Sequence, residues 1–263
     1  MDAIAQYGTS DEEGHSEGQY YEGQQGILNH RIRNFPHVQG NYATHVYIQV
    51  DIPQRCCGAL RALQDALQAA CPVPCNPLVV LSPDYEDGRC IFEKSLAPGL
   101  QSKPASYHIS LSRTVAIRSQ QIKSLLAQLR HQLRRLKRFP VKIASQNMMV
   151  LENDERTCTF VALSVAVNGS EHPTNPLERA MDAVSNAFQY HGLPRYYEDP
   201  RPHVSIGWML GAQSQQVTGD VLSAHPGVSD AHQHLQNLNW AFEPAEVICK
   251  IGQKCHVVWH AAE

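Results

Sequence analysis

Tyr107-His108-Ile109-Ser110-Leu111-Ser112 and Pro202-His203-Val204-Ser205-Ile206-Gly207 are near copies of one pattern, a His-x-Ser set among alternating polar and apolar residues. Alternation at period two is the signature of a half-buried strand. In such strands His108 and Ser110, or His203 and Ser205, share one face, while Ile109, Leu111, Val204 and Ile206 take the other. Two strands of this kind facing each other place two imidazoles and two hydroxyls around one cleft. The motif histidines, at 108 and 203, lie 95 positions apart, and the elements around them recur in similar order. That spacing suits a duplicated lobe and is too long for a solenoid repeat. The fold implied is α/β (α+β), two pseudo-symmetric lobes with antiparallel sheets lining a central groove and helices outside.

Outward from the motifs, residues 42–50 alternate as a strand ended by Pro53, and residues 55–70 carry Leu60, Leu63 and Leu67 at helical spacing before Pro72 and Pro74. Short strands are predicted at 78–81 and 90–92, with turns at Pro83-Asp84 and Asp87-Gly88. The first motif strand reads from about 106 to 114. A helix over 119–137 follows, with Ile122, Leu125, Leu126, Leu129, Leu133 and Leu136 as its apolar stripe. Strands over 141–151 and 157–167 come next, then a helix over 176–190 closed by Gly192 and Pro194. A helix near 230–238 and strands over 245–251 and 256–259 end the chain.

Charge divides the chain. Residues 1–26 hold six acidic and no basic residues, so of a net charge of −3 the remainder carries +3. An acidic segment rich in Gly and Gln buries too little surface to fold. Residues 1–33 are therefore expected to be a disordered tail and linker, and residues 34–263 the two-lobed domain. The mildly basic body suits a polyanionic partner. No run of about 18 apolar residues occurs, and the N-terminus lacks a charged-then-apolar signal pattern, so no membrane association is expected. The eight cysteines, including Cys71-Pro-Val-Pro-Cys75, read as reduced thiols rather than half a zinc site.

The paired motifs imply a chemistry. Cleavage of RNA has a built-in nucleophile, the 2′-hydroxyl beside the scissile phosphate. A base must take its proton and an acid must protonate the departing 5′-oxygen. Histidine, with an ordinary pKa of about 6.5, serves either purpose near neutrality. Ser110 and Ser205 stand where their hydroxyls can donate to nonbridging oxygens. The product is a 2′,3′-cyclic phosphate, and neither metal nor cofactor is called for. As a working assignment His108 accepts and His203 donates. One such motif alone reads as an ordinary hydrogen-bonded histidine; two in matching strands do not. His45, on an early strand, can line the same groove, but packing in the core or behind the site is the preferred reading. Tyr197, six positions before His203, offers a ring for stacking a base, with Tyr196 as its packed neighbour.

The His-x-Ser pair resembles the defining motif of the two-histidine (2H) phosphoesterase superfamily. Residues 34–47 (Asn34-Phe35-Pro36-His37 through Tyr47), 107–112 and 197–208 are similar, more specifically, to the U6 small nuclear RNA phosphodiesterase family. That resemblance implies a nuclear 3′-to-5′ exonuclease that trims the oligouridine tail of U6 RNA and leaves a cyclic phosphate end; a monomer is the separate expectation. Some members open that ring further. It also implies His108 and His203 as the catalytic pair, Ser110 and Ser205 as phosphate contacts, and Tyr197 stacked on the terminal nucleotide. Tyr107, Ser112, Pro202 and Asp154 are the further candidate substrate contacts. Two of them depart from the family pattern: Asp154 where a glutamine can stand, and Pro202 where an aromatic residue is common. An ionised Asp154 accepts but cannot donate, which alters how a uracil edge is met. Other readings are a different 2H activity, on cyclic phosphodiesters or 2′,5′ linkages, and a non-catalytic RNA-binding module.

Overall fold

The structure is a computed structural model that describes residue 38 and residues 40–71, 78–80, 84–86, 89–91, 107–144, 148–167 and 175–261. β1 (Asn41–Val50) leads into α1 (Gln54–Ala70), followed by β2 (Val79–Val80), β3 (Asp84–Glu86) and β4 (Arg89–Ile91). β5 (Tyr107–Ser110) carries the first motif. β6 (Val115–Arg118) and one 3-10 turn then enter α2 (Ile122–Leu133). β7 (Val141–Ile143), β8 (Met149–Glu152) and β9 (Cys158–Val167) precede α3 (Pro176–Tyr190), and β10 (His203–Leu210) carries the second motif. α4 (Gly219–Ser223), α5 (Pro226–Asn237), β11 (Ala241–Phe242), β12 (Glu246–Ile251) and β13 (Lys254–His260) close the fold.

The strands build an antiparallel sheet in the order β11-β7-β9-β10-β5-β1-β12-β13, with β2 also on β10, β6 on β1 and β8 on β9. Its two halves meet where β5 pairs β10, at Val204 opposite Ile109. This is the mixed α/β, pseudo-symmetric arrangement expected, with the sheet curled around the groove. α1 packs on α5 and α2 on α3. Among the described residues no helix is long and apolar enough to cross a membrane.

Alternation decides which face of the sheet is core. Tyr107, Ile109, Leu111, Val204 and Ile206 are all at most 1% exposed, while the motif histidines and serines between them are only partly covered. Behind the sheet, α2 buries Ile122, Leu125, Leu126, Leu129 and Leu133, as its stripe predicts. α3 is bounded as its sequence predicts. Asn175 caps it by accepting from the Leu177 amide at 2.8 Å, and Pro176 occupies the first turn. Its end is a Schellman motif: Gly192 at φ +67° lets the Leu193 amide reach the Phe188 carbonyl at 3.0 Å.

Several boundaries differ from expectation. The strand read over 106–114 ends at Ser110 as β5, and β6, which the sequence reading did not contain, follows at Val115–Arg118; both are laid on β1. Ser112 makes the break, its hydroxyl accepting from the Val46 amide at 2.9 Å and donating to the Arg113 carbonyl at 2.8 Å. The strand read over 141–151 is two, interrupted at Ala144, which adopts φ +55° and bonds the Ser164 carbonyl. Asp84, read as part of a turn, begins β3, which pairs with β4. The last helix starts at Pro226, four residues before the expected position, because proline at the first turn initiates it. The first stretch of the family resemblance, residues 34–37, and Cys75 lie outside the described residues.

Candidate active site

The register at the sheet's centre builds the site. With Ile109 opposite Val204, one step along the antiparallel ladder sets His108 opposite Ser205 and Ser110 opposite His203. Side chains opposite each other across a ladder share a face, so all four stand on the groove side. Each motif histidine is thus set across the ladder from the other motif's serine. The groove above them encloses about 1100 Å³ and is lined by all four residues.

His203 has a defined proton arrangement. Its Nδ1 lies 2.7 Å from the Arg201 carbonyl, which only accepts, so Nδ1 carries the proton and Nε2 holds the lone pair. Withdrawal of the ring from water holds its pKa below the ordinary 6.5, against the upward pull of the Arg201 carbonyl. A neutral imidazole with an open Nε2 can take up a proton, whereas the working assignment made from sequence had His203 donate one. The Pro202 carbonyl beside it accepts from the Val165 amide and extends the β9–β10 ladder. Pro202 itself is absent from the groove lining, so it is not brought to the site.

His108 stands in an aromatic corner. The His45 ring meets it edge-on at 5.2 Å between centroids, and the Tyr47 ring lies 5.4 Å away. His45 and Tyr47 stack on each other at 5.4 Å. Burial, reinforced by nearby Cys255, pushes the Tyr47 phenol up to about 12, so it stays protonated. His45 also bonds Ser110, Nε2 to Oγ at 3.0 Å. It lines the groove, the less favoured of the two places that the sequence left open for it.

Tyr107 and Ser112 line the groove only in part. The Tyr107 phenol points to the core face and accepts from Gln64 at 3.1 Å. Gln64 also donates to the Ile206 carbonyl at 2.9 Å. Ile206 is the extra residue of a bulge between Ser205 and Gly207 against β9, so its carbonyl needs a partner outside that ladder. One buried amide thus braces both motif strands from behind. Ser112 commits its hydroxyl to the turn described above, which makes it a support for β1 rather than a substrate contact.

At the rim, Tyr197 is 40% exposed and meets Tyr196 edge-on at 5.0 Å. Tyr196 is the packed member, its amide bonded to the Ser185 hydroxyl and its phenol pushed up to about 12 by burial. Asp154, in the turn between β8 and β9, accepts from Arg113 at 2.8 Å. That turn is ordered by Asn153, whose side chain accepts from the Thr157 and Cys158 amides. Glu152 lies deeper, bonded by the Ser214 hydroxyl, which with Arg156 holds its carboxyl below the usual range despite partial burial.

A family profile described as HVSL, an uncharacterised conserved protein, matches residues 19–259. U6 snRNA phosphodiesterase 1 of Xenopus laevis is 30% identical over 224 residues, 85% of this chain and 76% of that protein. The chain belongs to the U6 snRNA phosphodiesterase family. The Homo sapiens member is 26% identical over 84% of this chain and 67% of its own. The structure of Kluyveromyces marxianus Usb1 superposes with a TM-score of 0.54 at 17% identity, covering 82% of this chain and 97% of that one. A second structure of that yeast protein is with uridine monophosphate. At this identity the likeness bears on the fold.

Proposed function

We propose that this chain is a 3′-to-5′ RNA exonuclease that trims the oligouridine end of U6 snRNA and leaves a 2′,3′-cyclic phosphate. The observation that carries it is the pair of His-x-Ser motifs set opposite each other across the β5–β10 ladder, in a member of the U6 snRNA phosphodiesterase family. Residues 34–263 are the catalytic domain and the acidic segment 1–33 stands outside it. The enzyme acts as a monomer in the nucleus, where its substrate class is processed.

The neutral Nε2 of His203 takes the 2′-hydroxyl proton, and the 2′-oxygen attacks phosphorus. His108, protonated, gives its proton to the 5′-oxygen as that bond breaks. Ser110 and Ser205 donate to the nonbridging oxygens on either side. His45 is a positioning residue: with Nε2 protonated it donates to Ser110 Oγ, leaving the serine's own proton free for the phosphate. Tyr197 stacks on the terminal base. No step uses a metal ion.

The test is a 3′-hydroxyl RNA ending in uridines, incubated in EDTA and read by mass spectrometry for length and end group. Wild type shortens it to a cyclic phosphate; His108→Ala and His203→Ala leave it intact. His45→Ala loses on the order of tenfold in kcat from misorientation, and His45→Gln, which restores an N–H donor, regains most of it. Intact RNA with wild type, or shortening that continues in both histidine variants, sinks the proposal.

A further inference from the structure

Three loops from distant parts of the chain interlock at the rim of the groove, and one side chain holds them. Arg113, in the turn between β5 and β6, places Nη1 2.8 Å from Asp154 Oδ2. Its guanidinium carbon sits 4.1 Å from the centre of the Tyr197 ring. Its Nε is buried and has no hydrogen-bond partner. The Arg113 carbonyl accepts from Ser112, which fixes the backbone of the turn. The residue is therefore held by its backbone at one end and by Asp154 at the other, with its guanidinium over the aromatic platform.

We propose that Arg113 is a positioning residue for the 3′-terminal nucleotide, holding Tyr197 as a rigid platform and cancelling the charge of Asp154 at the point where RNA enters. This rests on the reading that Tyr197 stacks on the terminal base. The ring is 40% exposed, so it keeps surface for a base while the guanidinium supports it. A planar cation against a ring contributes favourably, and more when partly desolvated. An ordered ring also saves the entropy of arranging it at the moment of binding. Asp154 alone would be an uncompensated anion beside the RNA backbone, repelling the phosphates. Paired to Arg113, it becomes an anchor. Burial of the Tyr197 phenol and the Asp154 carboxylate both raise the Tyr197 pKa, keeping the phenol neutral beside that anion.

The consequence is a binding effect, separable from the chemistry at His108 and His203. Steady-state kinetics of the full chain on RNA ending in uridines would be compared for wild type, Tyr197→Ala, Arg113→Ala, Asp154→Asn and the Arg113→Ala/Tyr197→Ala double variant. Tyr197→Ala and Arg113→Ala are each expected to raise KM about tenfold, the scale of a lost base stack, with kcat within about twofold. The double variant should be no worse than about twofold beyond either single one, because both losses remove the same platform. Asp154→Asn should raise KM less than Arg113→Ala does. A terminal 2-aminopurine, bound in the His203→Ala background, should be quenched, and Arg113→Ala should relieve that quenching. If Tyr197→Ala raises KM and Arg113→Ala does not, the role of Arg113 is overturned while base stacking stands. If Tyr197→Ala changes neither KM nor quenching, stacking itself fails and this inference with it. A loss confined to kcat in Arg113→Ala also overturns it, placing the guanidinium on the reacting phosphate.

Discussion

At His203 a single backbone carbonyl sets the proton inventory. The Arg201 carbonyl accepts from Nδ1–H, and loss of water, outweighing that bond's upward pull, holds the pKa below the ordinary 6.5. A base works only when deprotonated, so kcat/KM falls as pH drops through the folded-state value. The acid limb of the profile on oligouridine RNA is therefore expected below pH 6.5, and a limb above it would remove His203 from the base role. The two motifs were legible because alternation assigns faces without any tertiary knowledge. The same parity places Tyr107 on the core face with Ile109 and Leu111, so its phenol's orientation was already written in the pattern. For His45 and Arg113 the partners were not legible. These two residues meet Ser110 and Asp154, 65 and 41 positions away, and nothing local in the chain marks such contacts.

Elements, next, are joined by contacts that periodicity does not report. α1 presents Leu60, Leu63 and Leu67 to the core as expected, but Gln64 lies among them at 1% exposure. Its amide serves Tyr107 beside the first motif and the bulged Ile206 carbonyl beside the second. Gln64→Leu keeps the volume and removes that donor. It is expected to cost about 1–3 kcal/mol through the buried acceptors it abandons, measured as a lowered urea midpoint. An unchanged midpoint would show that α1 holds the strands by apolar packing alone. The helices were well bounded where caps are local, as with Asn175 and Gly192. Strands were overextended, since the breaks at Ser112 and Ala144 come from bonds to β1 and β9, which the alternating pattern runs straight through.

For the whole molecule the β5–β10 seam is decisive, because it joins the two halves of the sheet and brings together one histidine from each. Ile109 and Val204, paired there, are fully buried. Ile109→Ala is expected to lower stability by about 2–5 kcal/mol and to lower kcat in the folded protein, since the motifs then lose their mutual register. Thermal melting with activity assayed well below the transition checks both; full activity at reduced stability would show that the seam holds the fold but not the geometry. The sequence by itself determined the types of the longer elements, the core face and the identity of the four motif residues, because those depend on short-range periodicity and on side-chain chemistry. Only the tertiary structure decided which hydroxyl faces which imidazole, which ring nitrogen of His203 carries the proton, and which cation steadies Tyr197. Those are set by strand register and by contacts across long chain separations, which cost entropy to form and leave no local trace in the residues that make them.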